Sequence, residues 1–354
     1  MPVAVYTLSF VPGLLALAAI WLGGAWLLVP PVVVFGLVPV LELGLGETTR
    51  NLGAEAERQQ RASVWHDLLL VLVVPLQLGI VGSLLVQVGW GGLSGLEILG
   101  ATATAALGCG SYGINVAHEL GHRRKAHERF LAKVLLLTSL YMHFYIEHNR
   151  GHHARVATEE DPASSRKGEW LYAFWLRSVV GGWRSAWDLE AQRLARKERS
   201  VWSLDNEMLR YQVIQLAFLG IVLALFGPVA TLAFIGAAVG GILQLETVNY
   251  IEHYGLHRER GESGRYERVR PEHSWNSNHP LGRALLFDLT RHADHHAYPA
   301  RPYPVLRHHD DALQLPTGYP GMMVLSLVPP AFIGVMDRWT ERERARLAAG
   351  TLAA

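Results

Sequence analysis

The sequence predicts an all-α integral membrane protein: six transmembrane helices with a histidine-rich cap on the cytoplasmic side. Three observations predict it. Apolar runs close to the ~20 residues needed to cross a ~30 Å hydrocarbon core as helix recur along the chain. Half of the 354 residues are hydrophobic, yet the 17 histidines fall in clusters between and after those runs. Lys and Arg are concentrated in alternate connections, as expected where loops stay in the cytoplasm.

Four apolar runs lie within 1–117, at 6–22, 25–45, 68–88 and 93–117. Residues 1–10 have no basic n-region and no small-residue cleavage site after the apolar stretch, so the first run is expected to remain as a span. The connection at 47–63 carries Arg50, Arg58 and Arg61, whereas Gly23-Gly24 and the segment 89–92 carry no charge. The N-terminus is therefore expected in the cytoplasm, and the chain returns there after span four. A second apolar block, 211–251, is broken at Phe226-Gly227-Pro228, a turn signal that makes it a hairpin of spans five and six.

The apolar stretch 130–146 is expected to lie on the membrane surface or against the bundle. Its length allows only ~25 Å of helix, and crossing there would put the histidines on either side of it on opposite membrane faces. The polar stretches 118–210 and 252–354 then form the cytoplasmic segment and cap, and 319–336 is expected to pack on that cap or at the interface despite its apolar character. The basic residues Arg193, Arg196, Lys197 and Arg199 suit a solvated or headgroup-contacting face, with docking of an acidic partner as the lesser alternative.

Charge and cysteine content exclude several function classes. With 32 basic and 31 acidic residues the net charge is +1, so the field that nucleic-acid binding requires is missing. One cysteine, Cys109, rules out a disulfide framework, a thiolate zinc cluster and a fused Cys-x-x-Cys electron carrier.

The histidines carry the chemistry. His118-Glu119-Leu120-Gly121-His122 continues span four and places two imidazoles at i and i+4, on one helix face. Alone, this is also the signature of zinc proteases. The run Glu147-His148-Asn149-Arg150-Gly151-His152-His153 repeats the i, i+4 spacing and adds a third ring aimed differently. His253 stands at the end of span six, and Arg291-His292-Ala293-Asp294-His295-His296 supplies i, i+3 and i+4. A structural zinc site takes four ligands and a catalytic one usually three, so nine candidate donors call for two metals. Imidazole suits zinc, copper, iron and nickel alike; a site at the mouth of an apolar bundle suits oxygen chemistry on a lipid-soluble molecule. Glu119, Glu147, Glu252 and Asp294 stand next to these histidines and are expected to accept a ligand's second ring N–H, or else to ligate directly. His66, His127, His143, His257, His273, His279, His308 and His309 are expected to be packed or hydrogen-bonded residues. Trp21, Trp26, Phe35 and Leu41 are candidates for a substrate tunnel, though each suits a lipid-facing or core position better.

Long stretches around these clusters closely resemble the membrane alkane monooxygenase family, the rubredoxin-dependent alkane hydroxylases related to desaturases and xylene monooxygenases. The resemblance rests on His118 to His122, on 147–153 running into Ala157-Thr158-Glu159-Glu160-Asp161-Pro162-Ala163-Ser164-Ser165, and on Asn249-Tyr250-Ile251-Glu252-His253-Tyr254-Gly255. It also includes Arg-Tyr-Glu-Arg-Val-Arg-Pro-Glu-His-Ser-Trp-Asn-Ser-Asn at 265–278 and the run 291–296. It implies a non-haem di-iron enzyme of the bacterial inner membrane, its centre facing the cytoplasm. Such an enzyme converts a medium-chain n-alkane to its 1-alcohol with O2 and two electrons from rubredoxin, itself reduced by rubredoxin reductase. It implies His118, His122, His148, His152, His153, His253, His292, His295 and His296 as the iron ligands and the di-iron centre itself as the catalyst, with no separate protein acid or base assigned. Thr290 and Ala293 depart from the family pattern, where Gln and Ser are expected; neither change touches a ligand. Fatty acid or arene-methyl oxidation and zinc proteolysis are the competing enzyme readings, and a metal carrier the non-enzymatic one.

Overall fold

The computed structural model describes residues 1–353. Four of its helices are long and apolar enough to cross a membrane: Val3–Leu22, Gly24–Leu45, Val64–Gly89 and Glu207–His253. The last is two helices. Gly227 interrupts it with φ 79° and ψ 176°, a conformation that favours glycine. Phe218 and Phe234 then meet with ring centroids 5.6 Å apart, whereas a straight helix would separate them by about 24 Å. The segment is the hairpin that Phe226-Gly227-Pro228 signals.

The run expected as span four is helical from Gly95–Gly108, through a π-helical stretch Cys109–Ile114, into Asn115–Gly121. Its glycines, serines and threonines keep it outside the four most apolar helices, and glycines of the hairpin let the two pack closely. A Cβ on Gly241 would lie 2.5 Å from the Cys109 Cβ, and one on Gly240 2.7 Å from the Ala106 Cβ. Apolar side chains gain little by leaving lipid, so close backbone approach through small residues is what holds such helices together. Buried Gln77 adds a polar tie, its Nε2 3.1 Å from Thr138 Oγ1.

The stretch 130–146 holds no helix long and apolar enough to cross a membrane. The helix there, Ala126–Leu137, ends in a turn before a short helix at Phe144–Glu147; its twelve residues reach only about 18 Å. Residues 319–336 pack as expected. Tyr319, Met322, Phe332 and Met336 join a buried cluster with Tyr250, Tyr254 and Trp275, so the Tyr319–Ser326 and Pro329–Ala353 helices close over the end of the hairpin. Among the described residues the all-helical expectation has small exceptions: an isolated bridge between Arg260 and Tyr266 and one two-stranded pairing. Trp275–Asn276 pairs in parallel with Leu313–Gln314, in register Trp275↔Leu313 and Asn276↔Gln314, and this clip ties the two halves of the cap together. Span two is fastened to the cap by Glu42, fully buried, whose Oε1 accepts from the Gly282 N–H at 2.7 Å.

Candidate metal centre

Four chain segments bring their imidazoles to one place. His118 and His122 come from the continuation of the Gly95–Gly121 rod. His148, His152 and His153 come from the turn after Phe144–Glu147, His253 from the end of the hairpin, and His292, His295 and His296 from the His292–Ala297 helix. All nine sequence-predicted rings are gathered, in two groups whose candidate ligand atoms lie within 4.8 Å of one another. One holds His118, His122, His148, His153 and His295; the other holds His152, His253, His292 and His296.

The partition differs from the spacing argument in the second cluster. His148 and His152, at i and i+4, were expected on one face; they fall in different groups. The backbone at His148–His152 is a π-helix, with an i→i+5 repeat. That repeat aligns His148 with His153, whose Nε2 atoms are 3.0 Å apart, and turns His152 toward His296 at 3.2 Å. In the ordinary helix His292–Ala297 the i, i+4 pair His292 and His296 does share a group, and so do His118 and His122.

The nitrogens suit metal cations. His153 Nε2 faces the Nε2 atoms of His122 at 3.1 Å, His148 at 3.0 Å and His295 at 3.2 Å. A neutral imidazole carries one N–H, so a single nitrogen cannot make hydrogen bonds to three others that also point at it. Lone pairs converging in this way are what a bound cation requires. Burial keeps the rings neutral: it lowers His118, His148, His153, His292, His295 and His296 well below the usual histidine value and brings His122 down to about 4. For His152, burial pulls down, but the Asp161 carboxylate outweighs it and raises the ring.

The neighbouring carboxylates divide by geometry. Glu252 Oε2 lies 3.2 Å from His292 Nε2, the nitrogen that also faces His253 Nε2 at 3.3 Å. It therefore points into the four-histidine group on the ligand side of the ring. The other three do not accept from a grouped histidine. Glu119 takes Arg123 Nε at 2.9 Å and the Tyr303 N–H at 3.2 Å, so the His-Glu-x-x-His run lacks the free glutamate a protease base would be. Glu147 holds Arg155 at 2.8 Å, and Asp294 holds His309 Nε2 at 2.6 Å together with Arg301. The acceptor for a grouped ring is Asp161, fully buried, with Oδ2 2.8 Å from His152 Nδ1 and 2.6 Å from the donating Ser164 hydroxyl. Asp161 was not singled out from the sequence; its place nine residues after His152 was the available signal. Arg291, also buried, positions the last histidine helix by donating to the carbonyls of Leu306 at 2.7 Å and Thr48 at 3.1 Å.

Of the histidines expected to be bland, none joins either group among the described residues. His66 packs edge-on to Tyr6 and Tyr303, and His143 to Tyr141.

An apolar cavity reaches the centre from within the bundle. Ala16, Phe35, Leu107, Leu245, Leu286 and Met323 form its walls, and His118, His148, His292 and Glu252 stand at its polar end. Phe35 is thus the one tunnel candidate on the cavity. Trp21, Trp26 and Leu41 are 58%, 57% and 45% exposed on the outer surface. Phe144 also lines the cavity, its ring stacked on His148 at 4.8 Å.

Comparison with known proteins follows the same lines. The fatty acid desaturase family model matches residues 96–324, a span holding all nine histidines. The chain is 43% identical over 307 residues to the alkane 1-monooxygenase of Ectopseudomonas oleovorans, covering 86% of this chain and 75% of that protein. Alkane 1-monooxygenase 2 of Pseudomonas aeruginosa is 43% identical over 321 residues, 88% and 83% of the two chains. The xylene/toluene monooxygenase hydroxylase component of Pseudomonas putida is 29% identical over 284 residues, 78% and 75%. At these levels of identity and coverage, the chain belongs to the alkane 1-monooxygenase family of oxidoreductases.

Proposed function

We propose that this protein hydroxylates the terminal methyl of medium-chain n-alkanes to 1-alcohols. It would use O2 and two electrons from reduced rubredoxin, which rubredoxin reductase recharges. The observation that carries this reading is the apolar cavity ending on His118, His148, His292 and Glu252. The nine histidines would hold two irons, five nitrogens for one and four nitrogens with Glu252 for the other. Iron bound there would supply the redox chemistry by which alkane, O2, two electrons and two protons become alcohol and water.

The chain's own residues do the rest. An alkane has no polar handle, so Phe35, Leu245, Leu286 and Met323 select it by shape, each methylene contributing only ~1–3 kcal/mol of discrimination. The same side chains exclude water from the reacting end. Asp161 holds the His152 proton on Nδ1 and leaves Nε2 free to ligate.

We further place the chain in the bacterial inner membrane with six crossings: four in 1–117 and two in 211–251. The segments 118–210 and 252–354 then form the catalytic cap on the cytoplasmic side. The test is expression with rubredoxin and its reductase, assay of octane, hexadecane, xylene and a fatty acid, and metal analysis. Terminal alcohols with two irons per chain are expected, lost in His152→Ala and His295→Ala. One zinc without iron, or full activity in either variant, would refute the reading.

A further inference from the structure

We propose that the Leu171–Ala195 helix lies along the membrane–water interface beside the metal centre. One exposed stripe is sunk among acyl chains and the next is in water.

The argument starts from depth. The two arms of the hairpin run antiparallel from Gly227. Glu207 precedes that turn by about 30 Å of helix and Thr247 follows it by the same amount, so the two residues stand at one level. The Leu171–Ala195 helix is pinned to both. Trp175 Nε1 donates to Thr247 Oγ1 at 3.1 Å, and Glu190 Oε2 accepts from the Glu207 N–H at 2.9 Å. Between Trp175 and Glu190 the helix advances about 22 Å. A helix attached at two points of equal depth that far apart runs across the hairpin axis, in the membrane plane. Its 25 residues therefore do not make a crossing.

Its faces say what covers it. At 100° per residue, Phe174, Ser178, Gly182 and Ser185 form the buried face. Tyr172, Leu176, Val180 and Trp183 form a second stripe, 45%, 73%, 47% and 42% exposed. Arg184 and Asp188 form a third, also exposed, about 100° further round. A large apolar stripe adjoining a charged one is the arrangement of a helix half sunk in lipid, and Tyr and Trp are the residues that favour headgroup level.

The apolar stripe continues into surface of the same kind at both ends. Tyr172 donates its hydroxyl to the Leu327 carbonyl at 2.7 Å, next to exposed Val328. Beyond the far end, Trp202 and Leu204 are 80% and 75% exposed at the foot of the hairpin. This continuity with the spans favours lipid over a second copy of the chain. The buried face meanwhile grips the centre's supports: Ser178 to Glu246, Ser185 to Arg155, and Glu190 to Arg150. The bilayer surface thereby bears on the segment that carries His148, His152 and His153.

Single nitroxide labels at Leu176→Cys, Val180→Cys, Trp183→Cys, Arg184→Cys and Asp188→Cys test this in the metal-loaded protein reconstituted in phosphatidylcholine–phosphatidylglycerol vesicles. All five sites are exposed, and the native Cys109 is buried. Relaxation by dissolved O2 should exceed relaxation by a water-soluble nickel chelate at 176, 180 and 183, with the order reversed at 184 and 188. Nickel access at all five sites would place the helix in water and overturn the proposal. Sites 176–183 closed to both reagents would show a protein cover, and would overturn it equally.

Discussion

Asp161→Asn should weaken metal binding in the four-histidine group while sparing the other. The wild-type carboxylate is fully buried and accepts from His152 Nδ1 at 2.8 Å, the Ser164 hydroxyl at 2.6 Å and the Ala163 N–H at 3.2 Å. An asparagine has one acceptor oxygen: turned toward His152 and Ser164 it sets its NH2 against the Ala163 N–H and loses the negative charge behind the ring, and turned toward Ala163 it faces His152 with its NH2. The imidazole responds by moving its proton to Nε2, the nitrogen 3.2 Å from His296 Nε2, and a protonated nitrogen cannot ligate. Loss of such a supporting acceptor costs 10- to 100-fold in metal affinity, about 1.4–2.7 kcal/mol. The assay is metal retained per chain during titration with a competing chelator. One of two metals should leave early in Asp161→Asn. Ser164→Ala, which removes the hydroxyl's bond to Asp161 and the acceptor of the Ala157 N–H but keeps the charge, should shift retention only a few-fold. Wild-type retention of both metals in Asp161→Asn would refute the tautomer argument.

Further outcomes follow from the same geometry. Gly241→Ala puts a methyl 2.5 Å from the Cys109 Cβ; overpacking of this kind costs about 1–3 kcal/mol, read as a lowered thermal unfolding midpoint at unchanged metal stoichiometry. Phe35→Ala opens the cavity wall and should move the product distribution toward longer 1-alcohols by gas chromatography; an unchanged distribution would remove Phe35 from the selecting surface. In the metal-free protein His122 stays neutral down to about 4, whereas an unfolded histidine takes its proton near 6.5. The depressed value means stability is complete above ~6.5 and falls with pH toward ~4, which denaturant titrations at pH 7, 6, 5 and 4.5 would measure. Glu252→Gln should lower metal retention in the four-histidine group; no change would return Glu252 to a merely structural role.

Where the membrane helices lie was readable because lipid imposes a length and a composition. The runs at 6–22, 25–45 and 68–88 coincide with the Val3–Leu22, Gly24–Leu45 and Val64–Gly89 helices, and the Phe226-Gly227-Pro228 break became a hairpin turn. The Gly95–Gly108 rod was recognisable as helix, but its reason for being glycine-rich was not. That reason is the close approach of side chains from other segments: a Cβ on Gly100 would lie 3.0 Å from the Leu27 Cβ, and one on Gly108 2.7 Å from Gln77 Oε1, contacts for which no local pattern exists. The Leu171–Ala195 helix shows the converse. Its charges read as a solvated segment, and its apolar stripe becomes visible only after the buried third of its surface is subtracted.

At the centre, residue type was legible and geometry only where the backbone kept an ordinary period. His118 with His122, and His292 with His296, pair as an i, i+4 helix dictates. The second cluster broke the rule because five backbone residues, His148–His152, adopt the wider π turn. That change sends His148 and His153 to one group and His152 to the other, so a single local distortion decides that one short segment serves both. A regular α-helix there would return His152 to the His148 face and leave the second group with His253, His292 and His296 alone. The π turn is thus the feature that divides nine imidazoles five and four. Glu252, at the poorer of the two groups and on the ligand side of His292, is the residue placed to make up the difference.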